Sequence, residues 1–400
     1  MEAYIIDGIR TPIGNLGGSL STIRTDDLAA LVMKELVKRN PTISPENIDD
    51  VIFGCTNQAG DDNRNLARMA LLLAGIPYTV PGETINRLCS SGMSAVIHAN
   101  RAIKSGDADL ILAGGVESMT RAPWVISKSS KPFGSDSQMF DSSFGWRFVN
   151  PQMQKMYGID SMGMTAENLA DMYKISREDQ DKFACASQMK AFDAQRSGRL
   201  FEEIVPVELV GKHSSSLFVQ DEFIKPTTSM EGLAQLKPAF KKEGGTVTAG
   251  NASGLNDGAS AIYIASETLV KKLNLKPKAR IISSAVVGVE PHIMGIGPVN
   301  ASKKALQKAG ITLNDIDVIE LNEAFAAQSL ACIRQLGLQD DDPRFNPNGG
   351  AIALGHPLGM SGARIVYSAA HELQKQNKKY ALATMCVGLG QGYAVVLERI

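Results

Sequence analysis

Cysteine is scarce in these 400 residues. There are five, at 55, 89, 185, 332 and 386, with no Cys-x-x-Cys pair among them. That spacing excludes a disulfide framework and the paired ligands of a zinc ribbon. Long apolar runs are missing as well. No stretch approaches the ~20 uninterrupted apolar residues of a membrane span. The opening Met-Glu-Ala-Tyr-Ile-Ile-Asp-Gly-Ile-Arg lacks the basic start and apolar core of a signal peptide. Excess charge is absent too: the formal net charge is -1, so electrostatics give no reason to expect nucleic acid or an anionic membrane as a partner. The expectation is a globular, reduced, cytoplasmic protein with room for two or three domains.

What is present begins as an alternation of strand and helix. Ala3-Tyr-Ile-Ile-Asp and Val51-Ile-Phe-Gly-Cys read as strands. Thr25 to Lys38 reads as an amphipathic helix with Asp26 and Asp27 in its first turn and lysines near its end, as the macrodipole prefers. A helix from Leu66 to Ala74, a helix from Gly92 capped by Gly106, and the strand Asp109-Leu-Ile-Leu-Ala-Gly-Gly follow. The rhythm predicts an α/β fold with a largely parallel sheet over residues 1–120. Between 121 and 246 the texture changes to Tyr, Trp, Met, Ser and short charged pieces. One helix is legible there, capped by Ser176 and running to Arg196, so this stretch reads as a loop-rich insertion. After Val247 the α/β rhythm returns and repeats the first half. Val51 and Val318 are 267 positions apart within similar segments, and Gly92-Met-Ser recurs as Gly359-Met-Ser at the same spacing. The division expected is 1–120 with 247–275 packing on it, an insertion at 121–246, and a second α/β half at 276–400.

The chemistry falls at equivalent places in the two halves. Cys89 precedes the helix that begins near Gly92, where free N–H groups and the dipole favour a thiolate; a small buried hydrophobe is the plainer reading. The spacing of 267 carries Cys89 onto His356 in Gly-His-Pro-Leu-Gly, at the start of the matching helix. If the halves pack about a pseudo-twofold axis, the imidazole can activate the thiol. Otherwise His356 is a helix-start hydrogen-bonder. Cys386-Val-Gly-Leu-Gly-Gln-Gly suits a loop whose N–H groups approach a ligand, or a tight hairpin. Asn322 could hold an oxyanion or cap a helix. Cys55, Cys185 and Cys332 read as packing residues. His98 and His371 fall in helices and His213 and His292 in loops, without chemical partners.

Four stretches make a resemblance specific: Asn86-Arg-Leu-Cys-Ser-Ser-Gly-Met, Asn322-Glu-Ala-Phe, Gly349-Gly-Ala-Ile-Ala-Leu-Gly-His-Pro-Leu-Gly, and Met385-Cys-Val-Gly-Leu-Gly-Gln-Gly. They resemble, in order and over essentially the whole chain, the active-site motifs of thiolases. The fold this implies is α/β and thiolase-like: two duplicated αβαβα-layered halves with a loop-rich insertion. The resemblance implies coenzyme A and acetyl-CoA as substrates and no permanently bound cofactor or metal. It implies that Cys89 attacks the 3-keto carbon of a 3-oxoacyl-CoA and that Cys386 protonates the departing acetyl-CoA enolate. His356 would activate Cys89 and share one oxyanion site with a water held by Asn322. The N–H groups of Cys89 and Gly388 would form the second. By the same resemblance Ser253 bonds the pantetheine arm, and Met162, Leu236, Phe240 and Phe325 surround it. Two positions depart from the pattern: Lys225 replaces a phosphate-side arginine, and Ser161 replaces a histidine of short-chain members.

Asn57-Gln-Ala-Gly-Asp-Asp-Asn-Arg-Asn and Gly145-Trp-Arg-Phe-Val-Asn-Pro look most like the thiolases that act on 3-oxoadipyl-CoA. A dicarboxylic acyl chain needs a cation, and Arg147 is the first candidate in the insertion, with Arg64 second; a structural or inter-subunit ion pair is the alternative use of Arg147. Family likeness suggests a homo-oligomer, a dimer of dimers bridged near residues 125–145. Competing readings are a short-chain acetyl-CoA acetyltransferase, a decarboxylating condensing enzyme, a non-catalytic acyl-CoA or lipid carrier, and a Cys/His zinc site.

Overall fold

A computed structural model describes residues 1–212 and 214–400; His213, expected in a loop, lies outside the described residues. One ten-stranded sheet runs through the molecule. Its main path is Val318–Leu321, Tyr380–Val387, Gln391–Arg399, Ala279–Gly288, Ala3–Arg10, Asn256–Ser266, Leu110–Ser118, Asp50–Gly54 and Gly82–Ile85. Only the outer strands of each half are parallel, where a helix crosses over: Asp50–Gly54 lies between Leu110–Ser118 and Gly82–Ile85, and Val318–Leu321 lies beside Tyr380–Val387. The largely parallel sheet expected from the rhythm is therefore mixed. Asn256–Ser266 enters from the insertion rather than through a helical crossover, and it pairs antiparallel with both Ala3–Arg10 and Leu110–Ser118. The hairpin ending at Arg399 does the same in the second half.

The halves meet through Tyr4 opposite Arg280 and Ile5 opposite Ala279. Side chains alternate across each strand and so build layers. Ile111 and Ala113 face a core shared with Met93, Val96 and Ile97 of the helix Ser91–Ser105 and with Ile365 and Val366 of the helix Leu358–Lys375. Ala381, Ala383 and Met385 face the same core from the other half. Leu110, Leu112 and Val116 face outward onto Leu28, Met33 and Leu71, while Leu382 and Val396 cover Val299, Leu306 and Leu330. Helices thus lie outside, between and outside again. Each fully buried Leu or Ile contributes about 1.5–3 kcal/mol relative to exposure.

The two inner helices touch through glycine. A Cβ on Gly92 would sit 2.5 Å from the carbonyl oxygen of Gly359, and one on Gly362 would sit 2.4 Å from the Met93 nitrogen. The residues paired by the spacing of 267 are therefore in contact at the junction, and both helix starts are brought to one place.

In the insertion the helix Arg177–Arg196 is capped by Ser176 as expected, and Asp179 completes a capping box with it. Three more helices, Pro151–Tyr157, Met162–Tyr173 and Met230–Ala234, and two short hairpins lie where loops were expected. Met162–Tyr173 has only three turns, but it buries Ala166, Leu169 and Ala170 against the second half. Tertiary burial stabilises it where sequence periodicity is weak. The insertion is pinned to the first half by buried Arg10, which donates to Asp221 at 2.6 and 2.9 Å.

Candidate active site

The turn bearing Cys89 connects Gly82–Ile85 to the helix Ser91–Ser105 and holds Leu88 at φ 47°, a left-handed conformation that costs a leucine on the order of 1–3 kcal/mol. Local bonds fix it. Asn86 Oδ1 accepts the Leu88 N–H at 2.8 Å, and Ser91 Oγ accepts from Arg87 N at 2.9 Å while donating to the Leu88 carbonyl at 2.7 Å. The Arg87 guanidinium donates to Ser94 Oγ at 2.9 Å and to Gln391 Oε1 at 3.0 Å. Gln391 opens the strand that follows the turn Gly388-Leu-Gly, so one arginine ties the Cys89 turn to the Cys386 hairpin.

The backbone amides of Gly388 and of Cys89 itself lie near enough to the Cys89 sulfur to favour its anion. A Cβ at Gly388 would already lie 3.1 Å from Leu88. The Cys386 stretch is a tight hairpin, with Leu389 at φ 63° and Gly390 at φ 80°, and Gly388 lines the cavity that holds Cys89.

Helix start and His356 were expected to depress the Cys89 pKa; the structure reverses this. Burial dominates over the two amide donors and pushes the thiol up to about 11. No hydrogen bond joins His356 to Cys89, although both line one cavity with Cys386. Desolvation thus favours the thiol form even though the residue as a whole is only half-buried. Alkylation of Cys89 by iodoacetamide should consequently keep rising from pH 7 to pH 10, and a plateau at or below pH 8 would contradict this.

His356 follows Gly355, whose φ of 104° suits glycine and whose Cβ would lie 2.6 Å from Asn256. Asn256 Oδ1 accepts the His356 N–H at 3.0 Å. Ser361 Oγ donates to the Pro357 carbonyl at 2.8 Å, so it accepts from His356 Nδ1–H at 2.7 Å. That assignment leaves the Nε2 lone pair facing the site, 3.3 Å from Asn322 Nδ2. Burial, with the charge of Arg364 second, lowers the imidazole pKa to about 3 and keeps it neutral, as a base requires. Asn322 does not cap a helix: the next one, Ala326–Gln335, is entered through Phe325. Its buried Oδ1 has no protein partner, which leaves an acceptor for a water. Cys386 is buried at the end of its strand. Burial first, then Cys89 and Cys332, hold its thiol well above the ordinary range.

Three cavities lie side by side. Ser253, Met162, Phe240 and Phe325 share the central one with Cys89, His356 and Cys386. Leu236 and Lys225 line the next, which shares Ala249 with it, and Lys225 Nζ sits 4.8 Å above the Phe223 ring. On the other side of Cys89 and Met162, a third is lined by Thr56, Asn57, Glu117, Ser161 and Arg147. Arg147 is half-buried there and donates to the Ser142 carbonyl at 3.3 Å; among the described residues no carboxylate lies within ion-pair distance of it. Its neighbours are anchored, Trp146 through Nε1 to the Asp160 carbonyl and Phe148 edge-on to Phe140. Arg64 is exposed and lines none of these cavities. Cys89, His356 and Cys386 do not converge to ligand distance of one another; among the described residues the three-residue cluster that does is Cys55, Asp62 and Glu117.

Sequence reasoning missed Asn256, Ser361, Arg87 and Glu117. Arg87 and Ser361 stand inside motifs that were singled out, and Asn256 lies three residues after Ser253. Glu117 had one available signal, its place at the carboxyl end of a strand beside a parallel neighbour, where α/β sites gather.

Residues 3–268 match the model for the thiolase N-terminal domain, and residues 275–399 match that for the thiolase C-terminal domain. The chain belongs to the thiolase family and is an acyltransferase acting on acyl-CoA, with coenzyme A itself a substrate. It is 58% identical over 400 residues to the 3-oxoadipyl-CoA/3-oxo-5,6-dehydrosuberyl-CoA thiolase of Escherichia coli (strain K12), covering 100% of both chains. It is 56% identical over 399 residues to the beta-ketoadipyl-CoA thiolase of Pseudomonas aeruginosa, covering 100% of this chain and 99% of that one. The crystal structure of human mitochondrial 3-ketoacyl-CoA thiolase superimposes with a TM-score of 0.92 at 43% identity, covering 100% of this chain and 98% of that one. No helix among the described residues is long and apolar enough to cross a membrane.

Proposed function

We propose that this thiolase cleaves 3-oxoadipyl-CoA with coenzyme A, giving acetyl-CoA and succinyl-CoA. The observation that carries the substrate is Arg147: a guanidinium without a carboxylate partner, on the wall of the cavity that also holds Cys89. The names of the relatives in Escherichia coli and Pseudomonas aeruginosa agree with it.

In the reaction we assign, His356 Nε2 takes the Cys89 proton and the thiolate adds to C3 of the substrate. The C3 oxyanion meets the N–H groups of Cys89 and Gly388, and the enolate oxygen that forms on collapse is held by the Nε2–H and a water on Asn322. Collapse breaks the C2–C3 bond, the Cys386 thiol protonates C2, and acetyl-CoA leaves with the acyl group on Cys89. The Cys386 thiolate then takes the thiol proton of incoming coenzyme A. The coenzyme A thiolate attacks the acyl carbonyl, whose oxyanion meets the N–H groups of Cys89 and Gly388, and Cys89 is expelled and recovers its proton from His356. Each oxyanion donor is worth about 10²–10³ in rate. The neutral imidazole and the high-pKa thiols support this order, since each group begins in the protonation state its first step needs. Ser253, Met162, Phe240, Phe325 and Leu236 would take the pantetheine arm, with Lys225 meeting a phosphate as a point charge rather than a fork.

A charge-assisted hydrogen bond to the substrate carboxylate is worth roughly 1.5–3 kcal/mol, or about 10- to 150-fold. The parent should prefer 3-oxoadipyl-CoA to an uncharged 3-oxoacyl-CoA of equal length by at least about tenfold in kcat/KM. Arg147→Ala should remove most of that preference and leave the uncharged substrate nearly untouched. Equal damage to both substrates would make Arg147 structural. No preference in the parent would favour the short-chain reading.

A compartment that keeps Cys89 and Cys386 reduced, such as the cytoplasm, suits this chemistry. The hairpin Trp124–Ile126/Met139–Asp141 presents Trp124, Ile126 and Met139 to solvent, and the adjoining loop presents Phe133. Covering so apolar a surface supports a dimer of dimers; a solution mass of one chain would overturn it.

A further inference from the structure

Glu117 lies near the end of the strand Leu110–Ser118, buried, on the acyl side of the cavity beside Cys89. Its oxygens accept three backbone amides: Thr56 at 3.0 Å and Gly359 at 2.9 Å on Oε2, and Asn57 at 3.0 Å on Oε1. Among the described residues no cationic nitrogen lies within ion-pair distance of it. A buried carboxylate without a cation is costly, and a valine or leucine would fill a strand position at no such cost.

Its partners are the two walls of the site. Gly359 is in the first turn of the helix Leu358–Lys375, whose cap residue Pro357 offers no side-chain acceptor. The carboxylate of Glu117, from the other half of the molecule, fills that role at the positive end of the helix, three residues after His356. Asn57 belongs to the opposite wall. Its Nδ2 donates to Ser142 Oγ at 3.1 Å, and the Ser142 carbonyl accepts from Arg147.

We propose that Glu117 is a positioning residue: its carboxylate, through the amides of Gly359 and Asn57, holds His356 and the Ser142–Arg147 wall in register with Cys89. The proposal rests on the assignment of His356 as base and Cys89 as nucleophile.

Protonation undoes this clamp, because an O–H donor then faces N–H donors and the helix start loses its cap. Burial raises the Glu117 carboxyl to about 7. The titratable groups that face it are Cys55 and Asp62, with ligand atoms within 4.8 Å, and Cys89 across the cavity. Asp257 on the neighbouring strand is held by Ser118 and Thr120, and the helix that Glu117 caps contributes His356 and Arg364. Cys89 at about 11 and His356 at about 3 do not titrate near neutrality. Glu320, at about 8, does, and a variant of Glu117 separates the two.

The test is kcat for thiolysis at saturating coenzyme A, which removes the titration of its phosphates from the readout. In the parent, kcat should fall about tenfold from pH 8 to pH 6, the change expected of one ionisation near 7. Glu117→Gln should lower kcat at pH 8 by at least about tenfold, leave the KM for coenzyme A within about threefold, and abolish the acid limb. Its Cys89 should still form an acyl adduct by intact mass. A flat parent profile between pH 6 and 8 overturns the proposal, and it decides the matter alone if the variant does not fold. A variant that keeps the parental kcat or the acid limb, or that raises KM as much as it lowers kcat, overturns it as well. Absence of any adduct in the parent would instead refute the assignment of Cys89 and leave the clamp as a structural feature only.

Discussion

Cys89→Ser is expected to fold as the parent does and to lose turnover by about 10³-fold or more. The hydroxyl is isosteric with the thiol and can accept the same two amides, from Gly388 and from residue 89 itself, so nothing in the turn is disturbed. What changes is acidity. His356, with a pKa near 3, is a weak base; it is matched to a thiol only because the thiolate, once formed, is stabilised by those amides and by the charge of the imidazolium. An alcohol lies several pKa units further from that base, and the acyl ester it would form is a poorer acyl donor. Knocking out a nucleophile that works as a unit with its base removes most of the chemical rate enhancement. Steady-state thiolysis, with intact-mass detection of the adduct after incubation with an acyl-CoA, checks this. Activity within tenfold of the parent, or an adduct on another residue, would remove Cys89 from the nucleophile's role. A non-catalytic acyl-CoA carrier would form no adduct even as the parent.

The second large effect belongs to Cys386. Its thiol is buried and held well above the ordinary cysteine range, so before turnover it carries the proton that the enolate needs. Cys386→Ser should still form acyl-Cys89 from a reactive thioester, because that step uses His356 and the amides of Cys89 and Gly388. Exchange of the acetyl-CoA α-proton into deuterated water should slow by about 10²–10⁴, the usual worth of a placed general acid–base. Exchange at the parental rate would take Cys386 out of proton transfer. Loss of acylation as well would instead mean that the substitution has displaced the Gly388 amide, two residues on in the same hairpin.

The contrast between these two thiols shows where local sequence stops being informative. Both were singled out from their motifs, and both lie on the cavity expected of them. The acid–base state of Cys89 was misjudged because a helix start is a local feature whereas desolvation is not. The dipole and amides were legible in Cys-Ser-Ser-Gly; the surrounding walls came from Gly388, nearly 300 residues on, and from the insertion. Arg147 is a comparable case from the other direction. Its presence in an aromatic stretch was legible, but that it faces the Cys89 cavity without a carboxylate partner depends on Trp146 and Phe148 being anchored.

By itself the sequence determined the α/β class, the repeat at 267 positions and which side chains to gather as candidates for one cavity. Each of these is carried by short-range pattern: hydrophobic period, glycines at helix starts, and residue types whose chemistry does not depend on neighbours. Only the tertiary structure decided that the sheet is mixed, that Met162–Tyr173 is helical, that desolvation favours the thiol form of Cys89, and that Glu117 joins the two walls of the site. Those outcomes depend on desolvation and on hydrogen bonds between segments distant in the chain, and neither is written in the spacing of residues along it.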